Sequence, residues 1–412
     1  MGRMAIVVGG GIGGLSAARA LTLTGWEVAV YEQAPAIGPV GAGIGIAPNA
    51  VKAMAWLGLG PRLRERGVRQ DGLEVRLRTG RSVARLTGAA IETNFGEPFL
   101  TLHRAELHQI LRDSLGAVPV HTDHRATGVT TGPDTATVTF ATPRGPVTAH
   151  ADLVVAADGV HSGLRGLLFP AYPGSAYAGY TVWRGIVPAP AARGIGVGVG
   201  VEPVLTETWG RAARFGIAVI NDGQVYWFAC ESRPPGQEVR HEIAGLAARF
   251  RDWHAPIPRL LAATPQDTLL RHDVYYLKDS LPSFVRGRVA LLGDAAHAVT
   301  PDIGQGACLA IEDAVILANS LAGSGIDDAL ATYDAVRRPR TERLAQTSGK
   351  IGHVLQLGNP VAIALRDGIV RALPAALFGR LAGGAFSWAP PPDLTPGGRG
   401  STTGDFPSGT PS

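Results

Sequence analysis

The feature that most constrains the fold is a glycine-rich segment near the N terminus, VVGGGIGGLSAA at residues 7–18. It overlaps an apolar, β-branched run at residues 4–9 and leads into a helical pattern at residues 12–24. A second strand pattern, EVAVY, follows at residues 27–31. The order of strand, glycine turn, helix and strand predicts a βαβ unit with two parallel strands.

Three glycines in this segment, Gly9, Gly11 and Gly14, have the spacing of a dinucleotide-binding turn. The first allows a tight turn, the second lets a pyrophosphate approach the backbone, and the third lets the helix pack closely on the strand. Free N–H groups at the helix start then face the phosphates. Glu32, 21 residues after Gly11, is expected to bind ribose hydroxyls and to disfavour a 2′-phosphate. The alternative is a turn whose glycines serve packing alone, since in a chain with 55 glycines this spacing is weaker evidence of a binding site.

Composition excludes several classes of protein. The chain has 412 residues, of which 45% are hydrophobic and 17% charged, as in a globular protein with a large core. The net charge of +4 comes from scattered arginines, without a basic helix or a zinc spacing, so we expect no nucleic-acid partner and no metal. Cys230 and Cys308 are far apart in sequence, which favours a reducing cytoplasm. Glycines interrupt the apolar N terminus, so it is not a signal peptide, and no long uninterrupted apolar run predicts a membrane helix.

The rest of the chain alternates between two kinds of strand pattern. Buried runs typical of parallel strands recur at residues 152–159 and 288–294, whereas residues 177–279 alternate as antiparallel strands do, with NDG at 221–223 as a tight turn. The other predicted elements are a helix at 49–58 with Asn49 as its N-cap, a hairpin at 73–78 and 81–86, an amphipathic helix at 103–115, strands within 119–150, and long helices from about 306 and over 327–357.

These patterns predict an α/β fold: a Rossmann-like nucleotide-binding domain built from discontinuous segments, an inserted and mainly antiparallel substrate domain, and C-terminal helices. The predicted boundaries are 1–72, 100–175 and 280–345 for the nucleotide-binding domain, 73–99 and 176–279 for the substrate domain, 346–389 for the C-terminal helices, and 390–412 for a disordered tail rich in Pro, Gly, Ser and Thr.

Three separated motifs resemble those of the single-component FAD-dependent aromatic hydroxylases, the group typified by p-hydroxybenzoate and salicylate hydroxylases. They are GGGIGG with Glu32, DLVVAADGVHSGLR at 152–165, and GDAAHAVTPDIGQGACLAIEDA at 293–314. The segments GAGIGIAPNA and LHRAELHQIL are also similar to family segments. Order and spacing agree from residue 4 to about 340, so the nucleotide-binding domain is expected to hold FAD.

The resemblance implies which residues contact FAD. Asp294 would bind the ribityl chain, Arg104 would lie near the pyrophosphate, and Pro301 would cover the reactive face of the flavin. The helix that starts near Gly306 would direct its positive end at the charge that forms on reduction. His297 has no catalytic role in the family and is not predicted to have one here. The implied FAD residues are Gly9, Gly11, Gly13, Gly14, Glu32, Gln33, Gly45, Arg104, Asp158, Gly159, Asp294, Pro301, Gly304, Gln305 and Gly306, and Arg165 belongs to a segment that the family uses for FAD and NADPH.

On the substrate side, Arg214 and Tyr226 lie twelve residues apart on two strands joined by NDG. They resemble the substrate-holding pair of FAD-dependent urate hydroxylases, so together with Pro301 they are the predicted catalytic residues. The alternative is a cross-strand pair that only stabilises the sheet. Trp183 and Arg184 are predicted to be structural, and two further pocket candidates are His272 and Tyr275.

The function implied by the resemblance is hydroxylation of an aromatic or heteroaromatic small molecule, with NAD(P)H and O₂, through a flavin C4a-hydroperoxide. No second Gly-x-Gly-x-x-Gly is present, so NAD(P)H is expected to share the FAD cleft, with GAGIGIAPNA as a hinge. The protein is predicted to be a cytoplasmic monomer or homodimer. The alternatives are an epoxidase or Baeyer–Villiger oxygenase on a larger polycyclic natural product, a reductase or oxidase of the same fold, and a catalytically silent FAD-binding module.

Overall fold

The computed structural model describes residues 2–36, 41–194, 196, 203–237, 242–372 and 383–392. Its helices are α1 Ile12–Leu23, α2 Pro48–Trp56, α3 Gly60–Arg66, α4 Gly88–Phe95, α5 Arg104–Asp113, α6 Gly163–Leu168, α7 Ala189–Gly194, α8 Glu242–Phe250, α9 Ile257–Ala262, α10 Asp294–His297, α11 Gly306–Gly323, α12 Ile326–Leu355 and α13 Pro360–Ala372. Its strands are β1 Met4–Val8, β2 Glu27–Tyr31, β3 Gly43–Ile46, β4 Val68–Arg69, β5 Gly72–Leu77, β6 Ser82–Thr87, β7 Leu100–His103, β8 Val120–His121, β9 Arg125–Thr131, β10 Ala136–Thr142, β11 Gly145–Ala151, β12 Leu153–Ala156, β13 Ala176–Val187, β14 Val204–Trp209, β15 Ala213–Val219, β16 Val225–Ser232, β17 Leu270–Tyr276, β18 Val285–Arg286 and β19 Val289–Leu291.

The first large sheet has the order β18-β19-β12-β1-β2-β8. All of its pairings are parallel except that of the edge strand β18. Its centre is apolar on both faces, because β1 and β12 consist mainly of buried aliphatic side chains, which α1 helps to cover. The three parallel pieces predicted from the sequence therefore pair in one sheet, and this part of the fold prediction is confirmed.

The second large sheet has the order β17-β13-β16-β15-β14-β5-β6 and is mainly antiparallel. The predicted hairpin at 73–78 and 81–86 forms as β5 and β6 and joins it through a parallel pairing of β5 with β14. One face packs its buried aromatic residues against α8 and α9: Trp183, Phe215 and Trp227 meet Phe250 and Trp253 there. The opposite face therefore carries the polar side chains described below. The domain boundaries given above stay predictions.

Helix α11 is the one helix in the described ranges that is long and apolar enough to cross a membrane by length and composition alone. It is mostly buried and packs against α1, α2 and α12, as a core helix of a globular protein does. Its apolar character is therefore explained by core packing. Cys230 and Cys308 are both buried and free.

Two local predictions need comment. Asn49 is not the N-cap of α2: the helix begins at Pro48, whose fixed φ suits the first helical turn, and Ala47 takes the cap position. Asn49 is instead fully buried. The predicted disordered tail lies almost wholly outside the described residues, which end at 392; just before it, Phe386 and Trp388 are buried in the core.

Candidate functional site

The turn between β1 and α1 leaves room for a ligand at Gly11. A Cβ on Gly9, whose φ is +110°, would lie 2.8 Å from the carbonyl carbon of Ala157, and a Cβ on Gly14 would overlap the carbonyl of Gly9. A Cβ on Gly11 would meet nothing within 4 Å. Gly9 and Gly14 thus serve packing, while Gly11 faces open space at the N-terminus of α1. This arrangement fits a pyrophosphate at the helix start.

Glu32 and His108 hold this turn in shape. The Glu32 carboxylate accepts hydrogen bonds from the backbone N–H groups of Gly10 (2.6 Å) and Ala34 (2.8 Å). The Nε2 atom of His108, on α5, lies 2.7 Å from the carbonyl oxygen of Gly10. His108 was missed by the sequence analysis; its only signal is its place one helical turn after Arg104 on an amphipathic helix. Gln33, next to Glu32, is exposed.

The second motif is tied to the third by Arg165. Asp158 accepts from the Ser162 hydroxyl (2.6 Å) and from the backbone N–H of Leu164 (3.1 Å), so it fixes the start of α6. Arg165 is buried and donates to the carbonyl oxygens of Val160 (2.7 Å) and Ala295 (3.0 Å). Gly159 has a φ of +83°, with open space beside it. The residues proposed for FAD in both motifs are therefore held in one rigid unit.

A buried carboxylate anchors the turn that presents Asp294. Asp313 accepts from the backbone N–H of Gly293 (2.9 Å), from Nε2 of His297 (2.5 Å) and from Nε of Arg337 (2.7 Å). Burial alone would raise the pKa of Asp313, but His297 and Arg337 outweigh it and lower the pKa to about 2. His297 is thus engaged in the core, away from the cleft. Sequence analysis did not identify Asp313 or Arg337, because their partners lie on other elements.

Asp294 and Gly306 line the same cleft. A Cβ on Gly306 would lie 3.8 Å from Oδ1 of Asp294. The Asp294 side chain is exposed to solvent on the side that faces the cleft. On its other sides it is surrounded by protein, and this burial raises the pKa of its carboxyl group. The N-terminus of α11 begins at Gly306, so backbone N–H groups and a carboxylate acceptor face one space. This donor and acceptor set fits the polyol and pyrimidine edges of a flavin.

The loop before α11 is shaped by a buried amide pair. Gln305 caps the helix and is fully buried, and its Oε1 accepts from Nδ2 of Asn49 (2.9 Å). Asn49 also donates to Glu312 (2.6 Å), which is buried on α11. Pro301 begins a short 3₁₀ turn, and Gly304 follows it in a left-handed conformation, with a φ of +64°. The loop is therefore preformed.

Arg214 and Tyr226 lie on the same face of the second sheet, but they are not opposite each other. Arg214 pairs in register with Cys230, and Tyr226 pairs with Ala218. The two residues therefore do not face each other directly across the strands, and whether they contact substrate or only stabilise the sheet stays a prediction. Arg214 is 2% exposed, donates to Glu207 (3.1 Å) and forms an ion pair with Asp302 of the 301–303 turn.

Tyr226 and Arg184 belong to the cleft side of this sheet. The ring of Tyr226 covers Gly43 of β3, where an added Cβ would lie 2.6 Å from Cβ of Tyr226. Arg184 lies close enough to Tyr226 to oppose the rise that burial causes in its pKa, and the Nη1 atom of Arg184 lies 3.4 Å from Nδ1 of His272. Trp183 points into the core as predicted, whereas its neighbour Arg184 does not.

Three more predicted residues, Tyr275, Gly45 and Gly13, pack against neighbouring side chains. Tyr275 packs against the rings of His161 and Tyr177, with ring centroids 5.1 Å and 5.7 Å apart. A Cβ on Gly45 would lie 2.7 Å from the ring of Phe99, so this glycine serves close packing. Gly13 is similar, since a Cβ there would lie 2.9 Å from Leu292. In the part of the chain that the structure describes, no group of three His, Cys, Asp or Glu residues could hold a metal ion.

Comparison with known proteins places this geometry in context. A family model described as "FAD binding domain" matches residues 4–348. The chain is 36% identical to aurachin C monooxygenase/isomerase of Stigmatella aurantiaca, over 90% of this chain and 94% of that protein. It is 37% identical to FAD-dependent urate hydroxylase of Klebsiella pneumoniae, over 84% and 88%, and 33% identical to 3-amino-4-hydroxybenzoate 2-monooxygenase of Streptomyces cremeus, over 92% and 95%. The crystal structure of Klebsiella pneumoniae HpxO with FAD and uric acid superimposes with a TM-score of 0.85 at 32% identity, covering 93% of this chain and 97% of that one.

Proposed function

The chain belongs to the family of single-component FAD-dependent aromatic hydroxylases, and on that premise we propose that it uses a reduced nicotinamide nucleotide and O₂ to hydroxylate an aromatic or heteroaromatic small molecule. It is an FAD-dependent monooxygenase. The nicotinamide nucleotide, the substrate and the residue roles that follow are proposals.

One observation carries the proposal: the turn that precedes α11 and the polar face of the second sheet are joined through the ion pair of Asp302 with Arg214. Asp302 follows Pro301, and the same short loop leads to Gly306, opposite Asp294. A substrate on this sheet face would thus lie beside the loop that we assign to the flavin. When bound there, FAD would supply the redox chemistry and the activation of O₂.

The chain's own residues would bind and orient FAD and the substrate, and they would exclude water. Open space at Gly11 would admit the pyrophosphate, and Asp294 would accept hydrogen bonds from the ribityl hydroxyls. Pro301 would form one wall of the reaction space. Asp302 and Glu207 hold Arg214 in a fixed orientation, so a carbonyl or anionic group of the substrate would compete with Asp302 for that guanidinium.

Tyr226 would position the substrate ring. Burial raises its pKa, so its phenol stays protonated at neutral pH, and its ring is fixed against Gly43. The nicotinamide would enter the same cleft past Asp158, Gly159 and Arg165, since the sequence offers no second dinucleotide turn. We further propose that the protein is a monomer or homodimer in the cytoplasm, where reduced nicotinamide nucleotides are available.

The test is incorporation of labelled oxygen. The purified holoenzyme is given NADH or NADPH, ¹⁸O₂ and a panel of ionised aromatic acids and N-heterocycles. We expect one labelled atom in the product and substrate-dependent consumption of the reduced nucleotide. A reductase or oxidase would leave every product unlabelled, which would refute the proposal; a lactone, ester or epoxide product would instead support the alternative oxygenase on a larger substrate.

The substrate role of Arg214 is tested by Arg214→Ala on the best substrate of that panel. We expect a marked rise in KM, because a charge-assisted hydrogen bond is lost. The matched control is Arg251→Ala, since the side chain of Arg251 is 78% exposed and forms an ion pair with its neighbour Asp252. An unchanged KM in Arg214→Ala would remove Arg214 from the substrate site.

A further inference from the structure

The outer face of α13 carries a stripe of exposed aliphatic side chains. Val361, Leu365 and Ile369 are each one helical turn apart, so they lie on the same side of the helix. They are 78%, 65% and 52% exposed, more than any other large hydrophobic side chain among the described residues. Val354, near the end of α12, is exposed as well. A grouping of this kind is typical of a surface that binds a partner.

The inner face of α13 is anchored to the second sheet. Arg366 is buried, and its guanidinium lies over the ring of Trp209, 5.4 Å from the ring centroid. The same side chain donates to the carbonyl oxygen of Val354 (3.4 Å) and to the carboxylate of Asp367 (2.9 Å). The helix also packs against the edge strand β6. These contacts fix the orientation of α13, so its aliphatic stripe is held toward solvent.

Cationic side chains border the stripe at both ends. The exposed Arg211 donates to the carbonyl oxygen of Gly358 (2.8 Å), which places it beside the start of α13. The exposed Arg371 lies in the last turn of the helix. Lys350, in the last turns of α12, is exposed too. The apolar stripe is therefore flanked by positive charge.

The charge balance of this region selects one kind of partner. Asp367 is the one acidic residue between positions 343 and 372, and Arg366 compensates it through an ion pair of 2.8 Å. A second copy of the chain, docked symmetrically, would bring the same patch and its cations against this one, and like charges repel. A surface of anionic headgroups above acyl chains complements both the charge and the apolar stripe.

We propose that α13 is a peripheral docking site for an anionic lipid bilayer. The stripe lies at the boundary of headgroups and acyl chains, and the flanking cations contact the headgroups, as in other amphipathic helices at membrane surfaces. Three aliphatic side chains and a few cations give reversible binding. Docking brings the bilayer close to the second sheet, because Trp209 beneath α13 donates to Glu207 (3.1 Å), which holds Arg214.

The test is co-sedimentation of the purified holoenzyme with lipid vesicles at low and at high salt. The vesicles contain phosphatidylcholine alone or phosphatidylcholine mixed with phosphatidylglycerol. We expect the wild type to bind the anionic vesicles at least about fivefold more tightly than the neutral ones, and to dissociate from them at high salt. FAD content, circular dichroism and sedimentation velocity without lipid are recorded for every variant.

The apolar contribution is tested by combining Val361→Ser, Leu365→Ser and Ile369→Ser. The matched control changes to serine three other aliphatic side chains, 45%, 43% and 47% exposed and each on a different element: Leu23, Val147 and Val336. We expect the stripe variant to bind anionic vesicles at least about tenfold more weakly than the wild type, and the control to bind like the wild type.

Two further variants test charge and insertion. Arg211→Gln and Arg371→Gln should each weaken binding to the anionic vesicles about fivefold and leave binding to the neutral vesicles unchanged. Leu365→Trp should bind at least as tightly as the wild type, and its added fluorescence should shift to shorter wavelength with anionic vesicles, because the indole ring enters the bilayer boundary.

Three results would overturn the proposal. The first is a wild-type holoenzyme that does not sediment with the anionic vesicles at low salt. The second is an equal loss of binding in the stripe variant and in its control. The third is a wild-type dimer, seen by sedimentation velocity, that the stripe variant converts to a monomer while vesicle binding stays unchanged, since this would assign the stripe to a second copy of the chain. None of these measurements needs turnover, so they are independent of the labelled-oxygen test.

Discussion

Alanine substitutions at Gly11 and Gly14, three residues or about 4.5 Å apart along the helix axis, are expected to have different consequences. Gly11 has a φ of −77°, which alanine adopts freely, and its added Cβ would meet nothing within 4 Å. Gly14 is different, because its Cβ would overlap the carbonyl of Gly9, 3.0 Å from the carbonyl carbon, and approach Val7 at 3.3 Å. Gly11→Ala should therefore weaken only the binding of FAD, whereas Gly14→Ala should lower the stability of the protein itself.

The magnitudes follow from these surroundings. In Gly11→Ala the methyl group occupies space that a pyrophosphate needs to reach the N–H groups of α1, so one or two charge-assisted hydrogen bonds weaken and the Kd for FAD rises about 10- to 100-fold. The apoprotein keeps its stability to within about 1 kcal/mol. In Gly14→Ala the helix must move away from β1, which costs about 1–3 kcal/mol or more through lost packing.

The assay separates the two effects. Apoprotein is prepared by removing the flavin, its thermal unfolding is followed by circular dichroism, and FAD is titrated by fluorescence quenching. We expect Gly11→Ala to melt with the wild type yet bind FAD weakly, and Gly14→Ala to melt lower before any FAD is added. If Gly11→Ala bound FAD within twofold of the wild type, the space at Gly11 would not be the pyrophosphate site.

Three further substitutions test other contacts. Asp313→Asn should lower the stability of the protein by about 3–5 kcal/mol at neutral pH, since it removes one of the two buried carboxylates that compensate the guanidinium of Arg337. Because the pKa of Asp313 is about 2 and thus below its usual value, this stabilisation is present above about pH 4 and is lost as the pH falls toward 2, so the melting curves of variant and wild type should converge there. Asp302→Asn should lower the KM for an anionic substrate several-fold, because Arg214 loses a carboxylate that competes with the substrate for its guanidinium. A rise in KM in steady-state kinetics would contradict this competition between Asp302 and the substrate. Gly43→Ala should displace the ring of Tyr226 and raise the substrate KM with the FAD affinity unchanged, whereas a parallel loss of FAD in the titration would show that β3 holds the cofactor instead.

The features that could be predicted from the sequence are encoded locally. The βαβ unit, the parallel strands and the helix after Gly306 each follow from residues adjacent in the chain, so spacing and periodicity suffice. The turn around Asp294 is recognisable for the same reason, since its glycines stand beside it.

Contacts between distant segments could not be predicted in this way. Asn is common at helix N-caps, so the sequence predicts that role for Asn49, yet its partners are Gln305 and Glu312, more than 250 residues away. His108 contacts the carbonyl oxygen of Gly10, and Asp302 forms an ion pair with Arg214. No local sequence pattern links the two members of either pair. The sequence analysis predicts a structural role for both Trp183 and Arg184. Because neighbouring residues on a strand face opposite sides of the sheet, the alternation of the strand could have separated Arg184 from Trp183.

The strand order of the first sheet also governs how the chain is made. β1 leaves the ribosome early, but its neighbour β12 is synthesised about 145 residues later, and β19 and the start of α11 come later still. At about 5–20 residues per second, some 15–60 s separate the translation of the first glycine turn from that of Gly306. During this interval the edge of β1 that later pairs with β12 stays uncovered, and an uncovered apolar strand edge is prone to pair with other chains. The glycine turn and the start of α11 can face each other only after Gly306 has been synthesised, so substitutions that disturb α11 are expected to lower the yield of folded protein.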